Sequence, residues 1–135
     1  MAITKAQSQI TWSAADSISV AAGGAQDSDA QSISGNATAG SLSVEANNSG
    51  TPASGDTVDV YLLQTNGDTT GAAGADAYDT ANHGEYLGQL DTNSDNPAQR
   101  TFDIPVSASS FKLRLVSNAA SAITCYARYN EQTAA

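Results

Sequence analysis

The chain has 135 residues, of which 14 are acidic and 5 are basic, giving a formal net charge of −9. This length suits one domain with its own core, although an aromatic fraction of only 6% keeps that core modest. The acidic balance argues against nucleic-acid binding, because phosphate recognition needs clustered lysine and arginine. No stretch approaches the roughly 20 apolar residues that cross a bilayer, so we expect no membrane partner.

The first residues, "MAITKAQSQITW", lack the apolar stretch of a signal peptide, so we expect synthesis in a cytoplasm. We assign residues 1–8 to an N-terminal arm, 9–130 to a β-sandwich domain and 131–135 to a C-terminal tail, because polar termini are commonly poorly ordered.

The arm contains our candidate partner-binding residues, Ala2, Ile3, Thr4 and Lys5. Ile3 and Lys5 alternate with small polar residues, a pattern that suits addition of a strand to the sheet edge of a neighbouring subunit. The alternative is a disordered segment without a partner.

In the first half of the chain, apolar residues alternate with polar ones, as in half-buried strands. The alternation occurs in "QITW", "SISV", "SLSVEA" and, most clearly, "DTVDVYLLQT". It places Trp12 on an apolar face, so we expect this side chain to pack in the core rather than to stack on a ligand.

The second half continues the pattern in "EYLGQL", "RTFDIPV", "SFKLRLVS" and "AITCYARY". Pro105 cannot donate to a β-ladder, so its segment is an edge strand or ends there. Phe111, Leu113 and Leu115 should face the core. Cys125 is the single cysteine, and in its predicted strand it lies on the same face as the alternating apolar residues. This position predicts a buried, unreactive thiol.

No segment has helical periodicity of any length, and the predicted strands are separated by loop compositions such as "AAGGAQDSD" and "NNSGTPASGD". Eight or nine short strands at this spacing predict an all-β, single-domain antiparallel β-sandwich, with a jelly roll as one option.

Catalysis is poorly supported by the sequence. His83 is the only histidine and precedes a glycine in a turn-rich region, and no serine lies in a G-x-S-x-G motif. The acidic residues do not single out a carboxylate pair, and glycosidase grooves also use aromatic platforms. We therefore expect that the protein is not an enzyme.

A calcium loop is the least weak of the metal-site hypotheses. Asp68, Asp76, Asp79 and Glu85 offer carboxylate oxygens among several glycines. Their spacing is not that of an EF-hand, and one histidine with one cysteine cannot make a zinc site. A solvated acidic loop is the favoured interpretation, and we expect no cofactor.

A carbohydrate-binding surface would need exposed aromatic residues beside polar ones. The candidates are Tyr78, Tyr86, Tyr126 and Tyr129. This is the alternative function from a different class, a carbohydrate-binding module for host attachment.

Four segments carry a resemblance to a known group: "MAITKAQSQITWSAADSISVAAGG", "NNSGTPASGDTVDVYLLQTNGD", "DTANHGEYLGQLDTNSDNPAQRTFDIPV" and "FKLRLVSNAASAITCYARYNEQ". Together they resemble small structural proteins of tailed-bacteriophage virions, most of all capsid decoration (cement) proteins. The resemblance spans nearly the full chain but includes no catalytic motif.

The resemblance implies a non-enzymatic protein that is made in the host bacterial cytoplasm, binds the capsid exterior and stabilises the shell. The implied partners are the major capsid protein and copies of itself in a homo-oligomer, for which a trimer is one option. A neck, tail or fibre-base component is the alternative within the structural class.

Overall fold

The computed structural model describes residues 2–65 and 84–134. These residues form ten strands: β1 (Ile3–Gln9), β2 (Ile18–Val20), β3 (Ala25–Asp27), β4 (Gln31–Ser32), β5 (Ala37–Asn48), β6 (Thr57–Thr65), β7 (Gly84–Asp91), β8 (Ala98–Ile104), β9 (Ser110–Ser117) and β10 (Ile123–Ala134). The same residues contain no helix, hence none of the length and apolarity needed to span a membrane.

The strands form two antiparallel sheets that pack face to face. Sheet 1 has the order β1-β10-β5-β8, with β2 also paired to β10, and sheet 2 has the order β3-β9-β6-β7, with β4 also paired to β9. The predicted all-β antiparallel sandwich is confirmed.

The strand order is that of a jelly roll. Strands β1 and β2 lie one after the other along the same edge of β10, and β3 and β4 share one edge of β9 in the same way. Each pair therefore fills one strand position, leaving four positions in each sheet. From one strand position to the next, the chain crosses to the other sheet every time except between β6 and β7, which are neighbours in sheet 2. This alternation is the double Greek-key pattern of jelly rolls.

The core lies between the sheets and follows the predicted alternation. Phe111, Leu113 and Leu115 on β9 are fully buried, as predicted. The Phe111 ring of sheet 2 meets the Tyr129 ring of sheet 1 edge to face, with centroids 5.1 Å apart, so this aromatic pair ties the two layers together. Cys125 is buried as predicted, and its burial raises the pKa of the thiol to about 12.

The end of β8 fits the expectation for Pro105. Strand β8 is an edge strand of sheet 1 and ends at Ile104. On the same side of the sandwich it faces β7, the edge strand of sheet 2, where a Cβ at Gly88 would lie 2.8 Å from Cε1 of Phe102. The missing side chain at Gly88 lets the two edges approach each other.

Two segments that the sequence analysis sets apart from the sandwich lie in sheet 1. Residues 3–8 of the predicted arm form most of β1, whose last residue is Gln9, and residues 131–134 of the predicted tail continue β10. They pair with each other, from Ile3 opposite Ala134 to Gln9 opposite Arg128. Each terminal segment supplies the ladder of hydrogen bonds that orders the other.

The predicted strand at Ile10 and Trp12 is replaced by a tight turn. The Ile10 N–H still donates to the Ala127 carbonyl at 3.0 Å, but the chain then leaves the ladder. Trp12 and Ala15 exchange backbone hydrogen bonds of 2.8 and 2.9 Å, and Trp12 is 3% exposed. Its predicted core position is therefore confirmed, while the extended strand is wrong.

The turn places two non-glycine residues in the left-handed region, Ser13 at a φ of 48° and Ala14 at 67°. Asp29 stabilises it, because its carboxylate accepts hydrogen bonds from the N–H of Ala14 at 2.9 Å and of Ser13 at 3.1 Å. The Ala14 N–H, followed by the Thr11 hydroxyl, lowers the pKa of Asp29 below its ordinary value.

Replacing Ala14 with glycine should stabilise the protein. Two-residue hairpin turns with positive φ at both positions favour glycine, and the left-handed region costs other residues about 1 kcal/mol. We expect Ala14→Gly to raise the free energy of unfolding in urea by about 1 kcal/mol. Ala15→Gly is the matched control, since its φ is not positive and the change should only destabilise. An equal effect of both variants would contradict the assigned strain.

Candidate functional site

The predicted calcium loop falls mostly outside the described residues, which include neither Asp68, Asp76 and Asp79 nor His83. Glu85 is described and is exposed in β7. Within residues 2–65 and 84–134, no group of three or more His, Cys, Asp or Glu side chains is placed to hold a metal ion. The calcium hypothesis therefore stays a prediction.

The four candidate tyrosines do not share one surface. Tyr78 lies outside the described residues, and Tyr129 is 1% exposed in the core. Tyr86 is 54% exposed and Tyr126 40%, but they lie on β7 of sheet 2 and β10 of sheet 1. Both side chains point away from the core, so they stand on opposite outer faces of the sandwich.

Around Tyr126, the outer side of sheet 1 contains a depression of about 380 Å³, lined mostly by polar residues. We call this surface the sheet-1 face and define it by the side chains that line the depression and point away from the core: Gln9, Ser43, Glu45, Gln99, Thr101, Tyr126 and Arg128. They come from β1, β5, β8 and β10, at positions that alternate with the buried residues of the same strands.

Cross-strand hydrogen bonds fix the polar groups of the sheet-1 face. The Gln99 amide donates to the Glu45 carboxylate at 2.6 Å, and Arg128 Nε donates to Gln9 Oε1 at 3.3 Å. Together with the exposed ring of Tyr126, these amides and charges offer donors and acceptors suited to a hydroxyl-rich ligand.

Sequence reasoning found Tyr126 but missed Glu45, Gln99 and Arg128. Their parity on each strand predicts exposure, yet their meeting depends on the register of β5 with β8 and with β10. In that register Glu45 lies opposite both Gln99 and Tyr126. The sequence carries no local signal for these pairings.

A second polar row crosses sheet 2. Arg114 Nε lies 3.3 Å from Asp27 Oδ1, and Tyr61 lies opposite Arg114 on one side and Tyr86 on the other. The two tyrosine rings are tilted, with centroids 5.4 Å apart. Desolvation, followed by the nearby Asp59 carboxylate, raises the pKa of Tyr86, so its phenol stays a neutral hydrogen-bonding group.

The buried residues Glu131 and Tyr129 form a cluster with the exposed Ser34, where β10 approaches the segment after β4. The Tyr129 hydroxyl donates to Glu131 Oε2 at 2.8 Å, and the Ser34 hydroxyl and N–H donate to the same carboxylate. Burial alone would raise the pKa of Glu131, but these hydrogen bonds outweigh it and lower the pKa. Burial, followed by the same carboxylate, raises the pKa of Tyr129. A weakly basic carboxylate beside a firmly protonated phenol suits a structural link between the layers.

The Glu131 cluster should make stability depend on pH. Since its folded pKa lies below the ordinary value of 4.5, its contribution is complete above that pH and is lost as pH falls through the folded pKa. We expect Glu131→Gln to cost about 2 kcal/mol of unfolding free energy at neutral pH. The difference from the wild type should shrink toward about pH 3.

Urea unfolding at both pH values measures this difference. The control is Glu45→Gln, which changes a carboxylate on the sheet-1 face and should cost little at either pH. A penalty for Glu131→Gln that does not change with pH would show that its charge is unimportant.

The chain is similar in fold to viral and carbohydrate-binding β-sandwiches. It aligns with VP2 of the infectious bursal disease virus subviral particle at 11% identity and a TM-score of 0.51, over 97% of this chain and 32% of that one. A chain from the acidic stable capsid of Helicobacter pylori bacteriophage KHP30 aligns at 13% identity and a TM-score of 0.41, over 98% and 100%. A mutant of CBM29-2, a family 29 carbohydrate binding module complexed with cellulohexaose, aligns at 14% identity and a TM-score of 0.45, over 97% and 80%.

No protein-family model matches the chain, and no curated protein sequence matches it. The alignment with VP2, at 11% identity, concerns the fold alone, and the function has to be argued from the surfaces.

Proposed function

We propose that this chain is a non-enzymatic structural protein of a tailed-phage virion that binds the capsid exterior and stabilises the shell. The observation that carries the proposal is strand β1, a complete strand of sheet 1 in which residues 3–7 are exposed on both faces of the sheet. A strand that buries so little of its own surface is suited to contact a neighbouring subunit.

Residues Ala2, Ile3, Thr4 and Lys5 are the proposed contacts with the major capsid protein or with another copy of the chain. Ile3 is 65% exposed, so a partner that covered it would remove apolar surface from water and gain stability. The resemblance in sequence to phage structural proteins supports the same proposal, as does the jelly-roll order, which recurs in capsid proteins.

Purified virions should contain the chain in a number of copies set by capsid symmetry. Quantitative mass spectrometry of virions, normalised to the major capsid protein, measures this number. Hundreds of copies are expected for decoration, and particles lacking the chain should release their DNA at a lower temperature. Virions that contain none of it would refute the proposal. A few copies per particle would instead assign it to the neck, tail or fibre base.

A carbohydrate-binding module is the second candidate, and the sheet-1 face is the observation that favours it. Its depression combines the exposed ring of Tyr126 with the charged groups of Glu45 and Arg128. A sugar could stack on the ring while its hydroxyls bond to the amide and charged side chains.

If this second function holds, glycan binding should depend on Tyr126. We expect Tyr126→Ala to reduce affinity on a glycan array or in calorimetry by about tenfold or more, because the stacking platform is lost. Tyr86→Ala is the matched control on the opposite sheet and should leave binding unchanged. Absence of binding by the wild type to any glycan on the array would exclude this function for the glycans tested.

A further inference from the structure

The free edge of β1 differs from the other sheet edges that the structure describes. Natural edge strands avoid pairing by being short, irregular or charged. Strands β3 and β4 are three and two residues long, and β7 pairs with β6 through a register shift. Strand β8 carries Arg100 and Asp103 and ends before Pro105.

By contrast, β1 has seven residues that pair with β10 without a shift. Lys5 is its single charged residue, and the strand contains no proline. Apart from this one lysine, β1 therefore has none of the features that protect the other described edges from pairing with another chain.

The backbone groups that point out of this edge can be identified. In an antiparallel ladder, alternate residues exchange both hydrogen bonds with the partner strand. The Ile10 N–H donates to the Ala127 carbonyl, so positions 4, 6 and 8 also direct their N–H and C=O groups toward β10. The N–H and C=O groups of Ile3, Lys5, Gln7 and Gln9 then point away from the sheet.

We propose that this edge pairs with the same edge of a second copy, with the two β1 strands antiparallel around a two-fold axis at Ala6. In this register Ile3 lies opposite Gln9 of the second copy, and Lys5 lies opposite Gln7. All four outward-pointing residues then form hydrogen-bonded pairs, and sheet 1 continues across the dimer.

The charges of the edge favour this register over its neighbours. A shift that brings the axis to Lys5 would place the two lysines opposite each other, and like charges in directly opposed positions are destabilising. A shift that brings the axis to Gln7 would leave Ile3 without a partner. The register centred on Ala6 avoids both. The side chains on the opposite face of β1, those of Thr4, Ala6 and Ser8, are small. They leave room for the sandwich of the second copy.

A cysteine pair at the axis tests the register directly. Ala6 would face Ala6 of the second copy in a non-hydrogen-bonded pair, with Cα atoms about 4.5 Å apart, which is within the range of a disulfide. We expect Ala6→Cys to form a covalent dimer on oxidation, seen on a non-reducing gel. Cys125 is buried and should not react.

Thr4→Cys is the matched control on the same face of the same strand. In the proposed register the two introduced thiols would lie four residues apart along the strands, about 14 Å, and could not bridge. Cross-linking of both variants to the same extent, or of neither, would overturn the proposal.

A charge exchange tests the same contact without chemistry. Gln7→Lys would place a second lysine opposite Lys5 in both halves of the interface, and should weaken the dimer about tenfold in sedimentation velocity. Adding Lys5→Glu would create two opposite-charge pairs and should restore it. Because each copy carries a charge of −9, the measurements are made at high ionic strength to screen the repulsion.

A wild type that stays monomeric under these conditions, or a double variant that is not restored, would overturn the proposal. These experiments use the purified protein, whereas the virion assignment depends on particle composition. Failure of one proposal is therefore distinguishable from failure of the other.

Discussion

Sheet 1 depends on β10, because this strand alone in the sheet pairs with three others, β1, β2 and β5. Its twelve residues hold β1 and β2 on one side and β5 on the other. The alternation along it also separates the two roles of sheet 1. Cys125, Ala127 and Tyr129 are buried between the layers, while Tyr126 and Arg128 stand on the outer face. The core and the candidate surface therefore share one short segment of β10. The packing of its buried side chains fixes the positions of Tyr126 and Arg128 on the outer face.

Strong apolar alternation made the central strands predictable from the sequence. Phe111, Leu113 and Leu115 alternate with charged residues, so their burial follows from the period of a strand. Strand β1 lacks that signal, since both of its faces are exposed and neither needs apolar side chains. Its order comes from hydrogen bonds to residues at the far end of the chain. The turn at Ser13 and Ala14 was missed for a related reason, because neither residue type favours positive φ and the stabilising carboxylate of Asp29 is distant in sequence.

The candidate surface was predictable only in part. Because exposed and buried residues alternate along β10, the alternation identifies Tyr126 as an outward aromatic residue. The same alternation places Tyr129 on the buried face. The neighbours of Tyr126 come from strands that are far apart in the chain, and only the register between those strands brings them together. Local patterns predict which face a residue occupies, whereas long-range pairing decides which residues share a site.

The pairing of Ile3 with Ala134 has a practical consequence for engineering. The Cα atoms of cross-strand neighbours lie about 5 Å apart, so any segment joined before Ile3 or after Ala134 leaves the sandwich from the same corner. A short linker between these two positions would allow circular permutation, with new ends opened in a loop. A fusion at either position would display its cargo beside β1 and would compete with whatever that edge binds, so display is better directed to the loops at the other end of β10.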